Sequence, residues 1–266
     1  MIRKAAVTIA TALAAGGLAL AAALPAAAGI SHTKVITPNG EAGYQAGMNG
    51  PGRFKAVQAQ FTLRNEAKGL GSTGGTGVQL CNDTTGNAVQ LGARWNAGEN
   101  AFDILVGSGT LTAHPGTDTT PCNSGGAFAG SDLSPALDVP AGNTVLLILQ
   151  EVSPGVYEAF AKDVTLGTSA SKSFAGLTFP DEAGVGVVQN LTTLSAPLAL
   201  RLASFTDVRL TGQKCGTHNL GGTSCWTAVQ AYSTANGMSS DPPLVDPQSS
   251  LHGRNFHVEI GSETGA

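Results

Sequence analysis

The sequence predicts an all-β protein, an antiparallel two-sheet sandwich of the jelly-roll kind. Three observations carry this. At least five segments alternate apolar and polar residues with a period of two, and no long helical period occurs. The chain holds 36 Gly and 13 Pro in 266 residues, which suits short strands joined by tight turns. Charged residues are only 12% of the total, too few for solvated amphipathic helices.

The first 28 residues are set apart from the rest. Arg3 and Lys4 precede an apolar, alanine-rich run, and Ala26-Ala27-Ala28 offers an A-x-A cleavage site, the pattern of a secretory signal peptide with a bacterial look. Cleavage there leaves 238 residues carrying 12 basic and 18 acidic side chains, a net charge of −6. No Lys/Arg cluster is present to neutralise a phosphate backbone, so nucleic acid is not an expected partner. The most apolar later stretch, residues 145–149, has strand length and does not span a membrane. The expected localisation is secreted and extracellular, with no membrane association after cleavage.

Secretion makes disulfides the default reading of the four cysteines. Chain proximity favours Cys81 with Cys122 and Cys215 with Cys225 among the three possible pairings. Metal binding is the rival, but no C-x-x-C occurs and no histidine stands at finger-like spacing from a cysteine. His252 and His257 are five apart, which does not put them on one strand face. No cofactor motif is present, and the glycines between 69 and 77 lack the Gly-Lys-Ser/Thr ending of a phosphate loop. The sequons at Asn82 and Asn190 are assigned no role.

Taken in order, residues 29–52 are polar and turn-rich, with 29–42 as an N-terminal segment and one short strand near 34–37. In residues 54–63, Val57, Ala59, Phe61 and Leu63 share one face, while Gln58, Gln60 and Thr62 share the other. Strands follow at 78–81, 88–94, 102–106 and 109–113, then a loop at 115–132. Residues 144–152 are apolar on both faces at their centre, which marks an interior strand. They pair with 156–166 through the turn Ser153-Pro154-Gly155. Two more strands lie at 184–189 and 198–210. The sandwich is expected over 43–210, and residues 211–266 read as a loop-rich extension with a cystine loop, in which only 256–260 alternates.

Several stretches resemble one family. Gly43-Tyr44-Gln45-Ala46, then residues 54–62, then Val78-Gln79-Leu80-Cys81-Asn82-Asp83, then Ala88-Val89-Gln90-Leu91-Gly92 resemble the opening of the secreted glutamic peptidases, the eqolisins. Leu137-Asp138-Val139-Pro140-Ala141-Gly142-Asn143, Val164-Thr165-Leu166-Gly167 and Leu202-Ala203-Ser204-Phe205 continue the likeness in the same order. The resemblance implies a concanavalin-A-like sandwich with a groove on its concave face. It also implies catalysis by a Gln and a Glu, the carboxylate activating water and the amide holding the developing oxyanion.

Gln90 falls where the family's Gln stands, and alternation with Val89 and Leu91 points it away from the core. The family's Glu lies on a strand whose counterpart here is Val185-Gly186-Val187-Val188-Gln189, where nothing is acidic. Gly186 or a neighbour takes its place, and Glu182 stands upstream on an expected turn. The family's Trp near Val78 is replaced by Gly77. A carboxamide has no proton equilibrium in the working range and cannot replace the base. The expectation is a non-catalytic extracellular module for a peptide, glycan or cell-wall ligand. The alternative is a divergent acid-acting endopeptidase that uses Gln90 with Glu182 as a displaced carboxylate. No Gly-x-Ser-x-Gly elbow offers another nucleophile, and Glu151 and Glu158 read as solvent-facing hairpin charges rather than a glycosidase pair.

Overall fold

The computed structural model describes residues 30–36, 41–65, 74–110, 131–133, 136–189, 200–221, 223–232, 238–241 and 255–260. The expected signal peptide and Cys122 lie outside them. Among the described residues every regular element of any length is a strand. In chain order these are β1 (Ile30–Ile36), β2 (Glu41–Met48), β3 (Phe54–Leu63), β4 (Gly74–Cys81), β5 (Asn87–Asn96) and β6 (Ala101–Thr110). Next come β7 (Ser131–Asp132), β8 (Asp138–Val139), β9 (Thr144–Ser153), β10 (Val156–Asp163), β11 (Ser169–Ala175) and β12 (Glu182–Gln189). The last are β13 (Leu200–Gly212), β14 (Gly216–His218), β15 (Trp226–Tyr232), β16 (Met238–Asp241) and β17 (Phe256–Ile260).

They build two sheets. The first runs β1, β15, β2, β12, β4, β5, β6, β7, with β8 also paired to β6, and the second runs β11, β10, β9, β3, β13, β17, β16, with β14 attached to β13. Pairing is antiparallel throughout except between β1 and β15. Neither sheet closes into a barrel, so the architecture is the expected sandwich.

Alternation decides which side chains face the other sheet. β4 and β5 send in Val78, Leu80, Val89, Leu91 and Ala93, and β9 sends in Val145, Leu147 and Leu149, all at most 2% exposed. β3 contributes Val57, Ala59, Phe61 and Leu63, as its sequence pattern required. Phe54 is also buried, because the β3 to β13 register skips Lys55 in a bulge that restores its inward direction. Strand β9 lies between β10 and β3, the interior place its two apolar faces called for. The β9–β10 hairpin turns as expected through Gly155, whose φ of +75° is open to glycine without a Cβ penalty.

Three features differ from the sequence reading. Residues 101–110 make a single strand instead of two. β2 falls largely in a stretch read as turn-rich, and pairs with both β12 and β15. The segment past residue 210 is not an appendage, since β15 sits between β1 and β2, and β17 sits beside β13. Trp226 and Phe256, from that segment, are 0% and 3% exposed. Phe256 stacks on Phe205 with centroids 4.6 Å apart and meets Tyr44 edge-on at 4.7 Å, and Trp226 packs on Phe54 at 5.4 Å. These rings join both sheets, so the sandwich draws its core from both sides of the expected 210/211 boundary.

Candidate functional site

Gln90 lies mid-strand on β5 with its neighbours Val89 and Leu91 in the core, so its side chain stands on the outer face of the first sheet. It is 8% exposed, more enclosed than an ordinary polar residue on a wet face. Strand register defines its row. Gln45 on β2 is opposite Gly184 on β12, Gly184 is opposite Gln79 on β4, Gln79 is opposite Gln90, and Gln90 is opposite Gly107 on β6. Three glutamines therefore share one row, and a glycine interrupts them. Gln90 Nε2 donates to Gln79 Oε1 at 2.7 Å.

Gly184 leaves a notch in that row. A Cβ built there would meet only Gln79 Cβ at 3.7 Å and Gln45 Cγ at 4.0 Å, ordinary contacts. The adjacent row, Gly43, Gly186, Gly77 and Gly92, has no side chains at all. Two of these glycines are required by close approach of strands. A Cβ on Gly43 would run into the Val185 carbonyl and sit 2.6 Å from Gly186 Cα, and one on Gly77 would run into the Leu91 carbonyl and sit 2.7 Å from Gly92 Cα.

The row on the other side contains Gly47, Glu182, Cys81 and Ala88. Glu182 is the first residue of β12 and not part of a turn. It shares a face with Gln90 but stands two strands over and one row along, which places the two Cα atoms roughly 12 Å apart on ideal sheet spacings. The structure does not join the two side chains. Glu182 Oε2 lies 3.5 Å from Cys81 Sγ. Cys81 is disulfide-bonded, so its sulfur has no hydrogen to give, and a hydrogen bond at this contact requires the carboxyl to be in its protonated form. Burial, then the charges of Asp83 and Asp181, push the Glu182 carboxyl up to about 9.

Of the other sequence candidates, Cys215 and Cys225 form the expected disulfide. Cys81 is bonded as well, and its expected partner Cys122 falls outside the described residues. Glu151, read as solvent-facing, has a side chain only 5% exposed and pairs with Arg53 at 2.8 Å. Glu158 instead accepts from Gln150. Asn82 is buried, with Nδ2 donating to the carbonyls of both Thr178 and Phe179 at 2.9 Å, so its sequon has no amide hydrogen to spare. Sequence reasoning missed a group of three carboxylates, Glu99, Asp103 and Asp138, whose oxygens lie within 4.8 Å of one another. Asp103 accepts from Asn96 Nδ2 at 3.1 and 3.2 Å. These residues have no common spacing, and only the β6–β8 pairing brings Asp103 opposite Asp138.

No family model matches the chain, and no curated protein matches it. Among solved structures, scytalidoglutamic peptidase bound to a transition-state-analog inhibitor is similar, with a TM-score of 0.51 and 16% identity. The match covers 82% of this chain and 97% of that one. The fold is that of the glutamic peptidases. The same peptidase with a peptide-based transition-state analog gives 0.50 and 14% over the same shares, and SCP-B, an eqolisin in complex with the tripeptide Ala-Ile-His, gives 0.43 and 13%. On the glutamic-peptidase fold as this chain builds it, Gln90 faces another amide, and the strand expected to carry a Glu puts Gly184 on the Gln90 row and Gly186 on the next. Alternation located the face of Gln90. The cross-strand partner Gln79 had no signal in the sequence, because register is set by pairing.

Proposed function

We propose that this chain is a secreted, non-catalytic module with the glutamic-peptidase fold, which holds an extracellular peptide, glycan or cell-wall ligand on the outer face of its first sheet. The observation that carries this reading is the row Gln45, Gly184, Gln79, Gln90. Its side chains are carboxamides with no carboxylate among them, so it cannot take a proton from water. Secretion is supported by the leader pattern and by the disulfide bonds.

The second reading is a divergent acid peptidase in which Glu182 serves as base. What favours it is that Glu182 and Gln90 share a sheet face. Against it stands protonation. A carboxyl whose pKa is raised to about 9 holds its proton in acid, and the neutral group is too weak a base to activate water there.

The test pairs two measurements on the mature chain from residue 29. Incubation with an unfolded protein from acidic to neutral pH should yield no fragments by mass spectrometry. Peptide and glycan arrays should show retention that weakens in Gln79→Ala and Gln90→Ala. Acid cleavage abolished by both Gln90→Ala and Glu182→Gln would replace this proposal with the peptidase reading.

A further inference from the structure

Glu182 is placed where its neutral form is useful and its ionised form is not. Among the described residues, no N–H, no hydroxyl and no cation reaches its carboxyl. Facing it from β2 is Gly47, without a side chain, and from β4 the disulfide sulfur of Cys81 at 3.5 Å. The charged groups acting on it are carboxylates, Asp83 from the turn after β4 and Asp181 from its own strand's approach. These two are tied together, since Asp83 N–H donates to Asp181 Oδ1 at 2.8 Å, and Asp181 C=O accepts from Met48 N–H at 3.0 Å.

We infer that Glu182 is an acid-favoured clasp: as a neutral carboxyl it fastens the start of β12 between β4 and β2, and its ionisation loosens that end of the first sheet. The neutral group donates its proton to the sulfur and repels neither neighbour. Once the proton leaves for solvent, a carboxylate faces sulfur lone pairs and two further carboxylates, with no donor among the described residues to compensate it. Its repulsion by Asp83 and Asp181 then acts on the strand end that Asp181 ties to Asp83 and Met48. The device does not depend on what the sheet face binds.

The direction of the pH effect follows from linkage. The unfolded chain releases this proton near the ordinary value of 4.5, whereas the folded protein keeps it up to about 9. Between those values the folded state binds the extra proton, so stability is full below the lower one, falls as pH rises through the window, and levels off above the upper one.

The experiment compares denaturant unfolding of the disulfide-intact mature protein with that of Glu182→Gln across this window. Gln keeps the shape and neutrality of the protonated carboxyl but does not titrate. The ratio of the wild-type unfolding constant to that of the variant should climb with pH, by up to about tenfold per unit. The infrared carbonyl band of a protonated carboxylic acid should be present at neutral pH in the wild type and absent from the variant. A pH-independent ratio, or no such band in the wild type, would overturn the clasp.

Discussion

The carboxamide of Gln90 donates to the carboxamide of Gln79 directly across the β4–β5 ladder, with 2.7 Å between nitrogen and oxygen. This pairing engages one hydrogen of the Gln90 amide. It also binds two polar side chains to each other on a largely enclosed face.

The first prediction tests that pair. Replacing Gln79 by Ala leaves the 8% exposed amide of Gln90 without its acceptor, which should cost about 1–2 kcal/mol. Replacing both residues should cost less than the two single changes together. Chemical denaturation of the four proteins in a double-mutant cycle measures the coupling, and additive losses would show that the pair does not act as a unit.

Two glycines on the same face should respond in opposite ways. Gly184→Ala adds a methyl into ordinary contact with Gln79 and Gln45, and stability should change by less than about 1 kcal/mol. Gly77→Ala drives a methyl into the backbone of β5 at Leu91 and Gly92, and should cost about 3 kcal/mol or more, or abolish folding. Thermal midpoints of the two variants decide between a required glycine and an incidental one.

Asp163, fully buried, organises the turn that follows β10. Its carboxylate accepts from Asn143 Nδ2 at 2.7 Å and from the backbone N–H groups of Thr165 and Leu166 at 2.8 and 2.9 Å. Asp163→Ala should cost about 3 kcal/mol, because three donors lose a charged acceptor together. Asp163→Asn should recover part of that loss, since its amide oxygen still accepts. Denaturant midpoints of both variants provide the check.

The Cys215–Cys225 bridge closes a ten-residue separation beside the buried ring of Trp226. Removing it by a double Cys→Ser change should cost roughly 3 kcal/mol in the loop-entropy account. Because Trp226 Nε1 donates to Leu220 C=O inside that loop, tryptophan fluorescence should report the loss. An unchanged midpoint would mean that core packing alone holds the loop.

Some of this architecture was legible because side-chain periodicity is local. Val57 to Leu63, the β9–β10 hairpin and the outward direction of Gln90 each follow from a few consecutive residues. The C-terminal strands were only partly legible for the same reason. Phe256, Val258 and Ile260 alternate and marked β17, but the stretch around Trp226 gave too little alternation to register as core. Trp226 and Phe256 become core only when β15 and β17 find places in sheets begun some 170 to 200 residues earlier.

The sequence by itself determined the composition of the strands, the likeness to the glutamic peptidases, and the absence of an acidic residue from 185–189. Tertiary structure decided the partners. Register across four strands placed Gly184, not Gly186, in line with Gln90, and set Gln79 against it. It also carried Glu182 from an expected turn onto a strand, and enclosed it beside a disulfide and two carboxylates. A strand's face is a property of neighbours along the chain, whereas a row across a sheet depends on hydrogen-bond register between distant segments.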